Sequence, residues 1–372
     1  MKTFRCDYCG ALVFFENVSC EQCGHVLGFL PDMMDVAALE PNNDGQWKSL
    51  AVASQGRLYR ACANGRDYSI CNWLVPAEEP QEYCVACRLN ALVPDASIPE
   101  KRALWHKIEI AKRRLIYTLR QLSLPTVGYS TKMWPRLQFR FLADEPSMAP
   151  IVTGHESGVI TINIAEADDA EREKRRAQLH EPQRTLIGHF RHESGHYYWE
   201  ALIADSPQHE RFRSFFGDER ANYTEALKAY HADGPAADWP SRCVSAYASV
   251  HPWEDWAETW AHYLHMVDSL ETAAAFGISL HAHHPASKTI TVDTRKVAEA
   301  GGSFNAKLES WLPLTCALNS LNRGIGIPDL YPFVLSIPAL EKMRFVHDII
   351  ASQPQGTKSI DINPHGEWQE AS

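Results

Sequence analysis

No run of apolar residues in this 372-residue chain approaches the roughly 20 that a membrane-spanning helix needs. No charged-then-apolar leader ends in a small-residue cleavage site, and Met1-Lys2-Thr3-Phe4-Arg5-Cys6 runs directly into a motif. A soluble, cytoplasmic protein is therefore expected. An excess of positive charge is missing too. With 36 Lys and Arg against 46 Asp and Glu, the net charge is −10, which argues against broad affinity for nucleic acid or membrane surfaces. Cysteine is nearly absent beyond Cys87: eight of the ten lie before residue 90, and only Cys243 and Cys316 follow, each isolated. Without an export signal, paired C-x2-C spacings point to zinc rather than to a disulfide framework. No internal repeat is apparent, and the length suggests about two or three domains.

What is present begins with two cysteine quartets. Cys6-Asp7-Tyr8-Cys9 is followed, after ten residues, by Cys20-Glu21-Gln22-Cys23. Each C-x2-C makes a tight knuckle that aims two thiolates at one point, and two knuckles complete a tetrahedral site. Gly10 and Gly24, directly after the knuckles, suit the turn such a loop requires, and residues 12–15 between them read as a short strand. The second quartet, Cys62, Cys71, Cys84 and Cys87, has one standard knuckle and a wider first half. Both sets close every position with thiolate and leave none for a catalytic water, so both predict structural zinc. Nucleic acid, a partner protein and the chain's own larger domain all remain open as what such ribbons bind.

Residues 76–82 read as a surface loop and 93–99 as a linker that ends at a helix start. From Glu100 to Leu122, Trp105, Ile108, Leu115, Leu119 and Leu122 recur at helical spacing. The basic residues among them, Lys101, Arg102, Lys107, Lys112, Arg113, Arg114 and Arg120, read as a solvated face. Strict alternation follows at Leu137, Phe139 and Phe141 and again at Ile160, Ile162 and Ile164, which predicts strands of one sheet. Residues 168–178 read as a solvated helix, 304–321 and 338–351 as helices of a C-terminal lobe closing the cleft, and 353–372 as a flexible tail. His281, His283 and His284 read as a surface cluster.

The chemistry centres on "HFRHESGHYYW", residues 189–199. Three fixed letters are a weak signal in a chain with 17 His, so their context decides. Leu186, Ile187, Phe190, Tyr197, Tyr198 and Ala201 form an apolar stripe, and His189, His192 and His196 occupy another face. On such a helix two imidazoles four apart can share one metal, with Glu193 beside them as general base. The continuation HExxHxxGxxH is excluded, because Trp199 and Leu202 stand where Gly and His are needed. A third ligand from a later helix is then required. Residues 251–265, "HPWEDWAETWAHYLH", supply it. Trp253, Ala257, Trp260, Leu264 and Val267 make the apolar stripe, with Glu254 and Glu258 on the opposite face. Glu254 is the expected ligand, and Glu258 would orient a ligand imidazole. Asp255 and Glu258 are the alternatives for the ligand role. His189 is expected behind the ligands or packed, and Ser194 and Cys243 have no nucleophile context.

With these motifs behind two cysteine quartets, the chain from Cys6 to about Ile350 resembles the bacterial zinc-ribbon metallopeptidases. More distantly, HExxH followed by Glu is similar to the gluzincins, the class of the anthrax lethal factor catalytic domain. There a Tyr seven residues before the metal-binding Glu helps to stabilise the transition state. The resemblance assigns that role to Tyr247, which stands seven before Glu254. It also implies that residues 159–164 form a sheet edge beside the cleft, where an extended peptide could add as a strand.

The sequence therefore predicts an α+β protein: tandem zinc ribbons over 1–95, then a gluzincin-like metallopeptidase domain over 98–352 with a mixed sheet, an active-site helix and a C-terminal helical lobe. Its expected cofactors are one catalytic and two structural zinc ions. Its expected reaction is peptide hydrolysis by a zinc-activated water, with Glu193 as base. A peptide or protein would be the substrate, with a possible protein partner at the ribbons. A zinc-ribbon binding module with a vestigial HExxH site, and a zinc hydrolase of a non-peptide bond, are the alternatives.

Overall fold

The computed structural model describes residues 1–126, 136–144, 151–173, 185–282, 290–293, 302–331 and 335–353. It has an α+β fold. An antiparallel pair, β1 (Phe4–Arg5) and β2 (Leu12–Val13), opens the chain. The strand expected over 12–15 stops after two residues, because the Phe14 amide turns to donate to Asn17 Oδ1 at 2.6 Å. Five strands then form an antiparallel meander: β3 (Val26–Leu30), β4 (Asp35–Pro41), β5 (Trp47–Ser49), β6 (Leu58–Ala61) and β7 (Leu74–Pro76). Alternation does not reveal this sheet, because β4 is apolar on both sides. Val36 and Ala38 join the main core, while Ala37 and Leu39 join a second cluster with Tyr59 and Leu74. The second cysteine quartet sits at the far end of the meander, around the short helix α1 (Ala63–Tyr68).

The segment 93–99 leads into α2 (Pro99–Gln121), whose apolar stripe is buried as its spacing predicts. Its basic residues are only in part the solvated face the sequence suggested: Arg102, Lys107 and Arg114 are exposed. Lys112 and Arg113 are buried, and Lys112 donates to Glu109 at 2.9 Å while lying over the rings of Phe139 and Phe141. The helix is clamped between two layers, so its buried cations are neutralised internally. On the ribbon side, Tyr117 packs against Phe15 and Phe29 with ring centroids 5.5 and 6.1 Å away. Arg120 donates to Pro31 O at 3.0 Å, and Arg114 to Glu16 at 2.6 Å. One continuous core thus runs from Phe4 to Ile350, and the ribbons are seated on the larger part of their own chain.

A mixed four-stranded sheet lies on the other side of α2. Its order is β10 (Gly154–Glu156), β11 (Val159–Asn163), β9 (Gln138–Leu142), β8 (Asn90–Leu92). The two alternating segments are neighbours, with Ile160 opposite Phe139 and Ile162 opposite Phe141. Residues 159–164 are not the sheet edge. β11 is flanked by β9 and by β10, and the chain leaves the sheet in a 3-10 turn at Ile164–Ala167. Among the described residues β10 is the edge on that side, because the tight turn at Ser157 and Gly158 folds it back onto β11. Of the charge-dense stretch, 169–173 is helical and 174–178 lies outside the described residues.

Five further helices and a strand pair complete the described fold around the HExxH helix. That helix is α3 (Leu186–Leu202), followed by α4 (His209–Phe216), α5 (Tyr223–Asp233), α6 (Pro252–Ala275), α7 (Phe304–Gly324) and α8 (Ile337–Ala351). β12 (Ser279–Ala282) pairs with β13 (Ile290–Asp293). His281 falls on β12; His283, His284 and the tail from 354 lie outside the described residues. The two C-terminal helices pack against α6. Lys342 of α8 reaches Asp255 at 2.5 Å, and His347 accepts from the Tyr263 hydroxyl at 2.8 Å. No helix among the described residues is long and apolar enough to cross a membrane.

Candidate metal centre

The site is made where α3 and α6 cross at close range. Gly195 makes this possible. A Cβ added there would lie 2.8 Å from Ala257 Cα and 3.2 Å from Trp260 Cβ, closer than backbone and side chain allow. Two indoles lock the crossing, Trp256 Nε1 donating to Gly195 O at 2.8 Å and Trp260 Nε1 to Ser194 Oγ at 3.2 Å. The small residues inside the HExxH motif therefore serve packing.

Across this contact the expected ligands converge. His192 Nε2 and His196 Nε2 stand 3.2 Å apart, and Glu254 Oε2 is 3.0 Å from the first and 3.7 Å from the second. Donors held tetrahedrally about 2.1 Å from a zinc ion stand roughly 3.4 Å from one another, so the spacing fits the ion. Glu254 is only 2% exposed, yet no aligned donor satisfies its Oε2 among the described residues. A buried, unpaired carboxylate oxygen facing two ring nitrogens is a cation site in its chemistry. Burial would raise Glu254 and lower His192. Their neighbours reverse both: His196 and His192 hold Glu254 well below the carboxylate range, and Glu254 and Glu258 hold His192 well above its own.

Glu258 stands one turn after Glu254 and is not part of the convergence. It accepts from His192 Nδ1 at 2.7 Å and from Ser245 Oγ at 2.5 Å. That fixes the ring with Nε2 turned to the site. Asp255 points away, to Lys342 and toward the buried Cys243 thiol, 3.9 Å off. Tyr247 lies beside His192, with ring centroids 6.0 Å apart. His189 is turned elsewhere: its Nδ1 pairs with the buried Glu166, which also accepts from Thr153 Oγ1 at 2.6 Å. Glu193 is buried on the same turn as His192, close enough to Tyr223 to act on its charge.

Sequence reasoning missed four residues here. Ser245 seats Glu258. His251 caps α6, its Nδ1 accepting from the Trp253 amide at 3.2 Å and its Nε2–H donating to Ala221 O at 3.0 Å. His155 of β10 stacks on His196 at 6.4 Å between centroids, and burial pushes it down to about 4, which keeps it neutral. Tyr223 donates to Glu254 Oε1 at 2.7 Å. A histidine beside Pro252 hinted at the cap; the other three have no local pattern.

The cysteine quartets gather as their spacings predict, each with four sulfurs within 4.8 Å of one another and none in a disulfide. Cys6 and Cys23 are 3.6 Å apart, as are Cys9 and Cys20, and Cys71 and Cys84 are 3.7 Å apart. A tetrahedron with zinc–sulfur bonds of about 2.3 Å has edges near 3.8 Å, whereas a disulfide is about 2.05 Å. The two knuckles of the first site match: Gly10 N donates to Cys6 O and Gly24 N to Cys20 O, both at 2.8 Å, with φ of +76° and +77° at the glycines. At the second, amides of Cys84 and Trp73 donate to Cys62 and Cys71 sulfurs at 3.4 Å. The buried Arg113 guanidinium, bonded to Ile70 O at 2.8 Å, feels the charge of Cys71, Cys84 and Cys87.

A family model described as "Putative zinc-binding metallo-peptidase" matches residues 101–349 of this chain. The chain belongs to that family. A zinc-ribbon domain model matches residues 3–98 of the same metallo-peptidase family member, covering both quartets. Uncharacterized proteins of Mycobacterium bovis and Mycobacterium tuberculosis are similar to it, at 41% identity over 351 residues. That alignment covers 94% of this chain and 95% of theirs. No solved structure matches the chain. The family match spans both site helices and α7 and ends within α8.

Proposed function

We propose that this metallo-peptidase family member hydrolyses peptide bonds at a zinc ion held by His192, His196 and Glu254. The observation that supports this most is the convergence of two imidazole nitrogens and one otherwise unsatisfied buried carboxylate oxygen, beside Glu193. When bound, the ion supplies Lewis acidity, which makes a water nucleophilic at neutral pH and polarises a carbonyl. The residues do the rest. Glu193 takes the water's proton and hands it to the leaving amine. Glu258, itself held by Ser245, keeps His192 in the tautomer whose Nε2 faces the site. Tyr247, whose ring lies beside His192, would donate its hydroxyl proton to the developing oxyanion.

Residues 98–352 form the catalytic unit in this reading, and the two quartets each hold a structural zinc that stiffens the ribbon part over 1–95. The ribbons' seat on α2 makes the catalytic unit their standing partner. The test is Glu193→Gln with unfolded protein as substrate. The variant should keep its zinc and lose hydrolysis by about 100-fold or more; full activity would remove Glu193 as the base.

A further inference from the structure

Glu254 has two oxygens, and they meet different partners. Oε2 faces the two imidazoles, while Oε1 accepts the Tyr223 hydroxyl at 2.7 Å. A carboxylate free to rotate would offer either oxygen, or both, to a cation. With Oε1 engaged, only Oε2 is left on the side of His192 and His196.

The element that delivers this hydroxyl is unlike the rest of the site. Tyr223 is the first residue of α5, a helix in which every residue is exposed or partly exposed. Gly217 and Gly234 bracket the segment with φ of +100° and +80°, backbone that L side chains adopt only under strain. Hydrogen bonds fasten the segment at its start. Asn222 caps the helix, His251 holds Ala221 O at 3.0 Å, and Glu219 is clamped by Arg213 at 2.6 Å. Tyr223 ties it to the metal site itself, its ring against His251 and Trp253 at 5.3 and 6.3 Å between centroids.

We propose that Tyr223 is a positioning residue of the metal centre: it makes Glu254 a one-oxygen ligand and couples the hold on the metal to the seating of α5. This rests on the reading of His192, His196 and Glu254 as a zinc site.

The test is zinc release from the full-length chain to a chromogenic chelator, with zinc per chain measured beforehand, for the wild type and Tyr223→Phe. Phe keeps the ring packing and removes only the hydroxyl. The wild type should hold three zincs, of which one is released fastest. Tyr223→Phe should release that one about 10-fold faster or more, with the other two rates and the thermal midpoint unchanged. Three zincs with identical release in both proteins overturn this inference alone. Loosening of all three together with a lowered midpoint also overturns it, by marking Tyr223 as a packing residue. A wild type that holds two and cannot be loaded with a third overturns the zinc reading first, and this inference with it.

Discussion

Glu219 shows how a single side chain outside the metal centre can support it. Its carboxylate takes Arg213 at 2.6 Å and His209 at 2.9 Å, and anchors the turn that leads into α5. The hydrogen bond from Arg213 is the main reason its acidity is held down at about 2, against an ordinary 4.5. A carboxylate depressed in the folded state stabilises the fold above its unfolded value and loses that contribution as pH falls to the folded one. The wild type should therefore lose stability between about pH 4.5 and 2 by an amount that Glu219→Gln does not. Urea midpoints of both proteins at pH 7 and pH 3 check this; equal pH dependence would deny the pair any role. At this scale the sequence told much about some residues and nothing about others. The convergence of His192, His196 and Glu254 was legible because helical spacing decides which face of its own helix each residue takes. Tyr223 and Ser245 were not, because loops bring them to the site and only tertiary folding sets where a loop ends.

Between elements, the crossing of α3 and α6 carries the account. Local preference and packing disagree at Gly195. Within an isolated helix Ala would be better than Gly by about 1 kcal/mol. Here the added methyl would meet the Ala257 backbone at 2.8 Å, and overpacking of a tight core costs roughly 1–3 kcal/mol. Packing wins. Gly195→Ala should be less stable in urea and should bind its labile zinc more weakly, because α6 carries Glu254 with it when it moves. A stabilised variant with full zinc would contradict the crossing described. The two site helices were readable from their stripes. The five-stranded meander was not, since β4 is covered on both sides and shows no alternation. The burial of Lys112 and Arg113 was equally hidden, because a periodic pattern shows which face is polar but not whether another layer covers it.

Over the whole molecule, the cysteine pairs announced two four-sulfur clusters, but not that one core joins them to the rest. Aromatic contacts from Phe15 and Phe29 to Tyr117 are long-range, and no spacing rule encodes them. Because that core spans both parts, the ribbons should melt together with the rest. Cys84→Ser, which removes a ligand of the second quartet, should lower a single melting transition of the entire chain. Two transitions, with the upper one unmoved, would show that the ribbons melt independently.

The central claim is the third metal site, and zinc per chain by elemental analysis tests it most directly. The wild type should hold three zinc ions and His196→Ala two, with both cysteine sites intact. Two ions in both proteins would contradict the account, leaving the paired histidines without a metal.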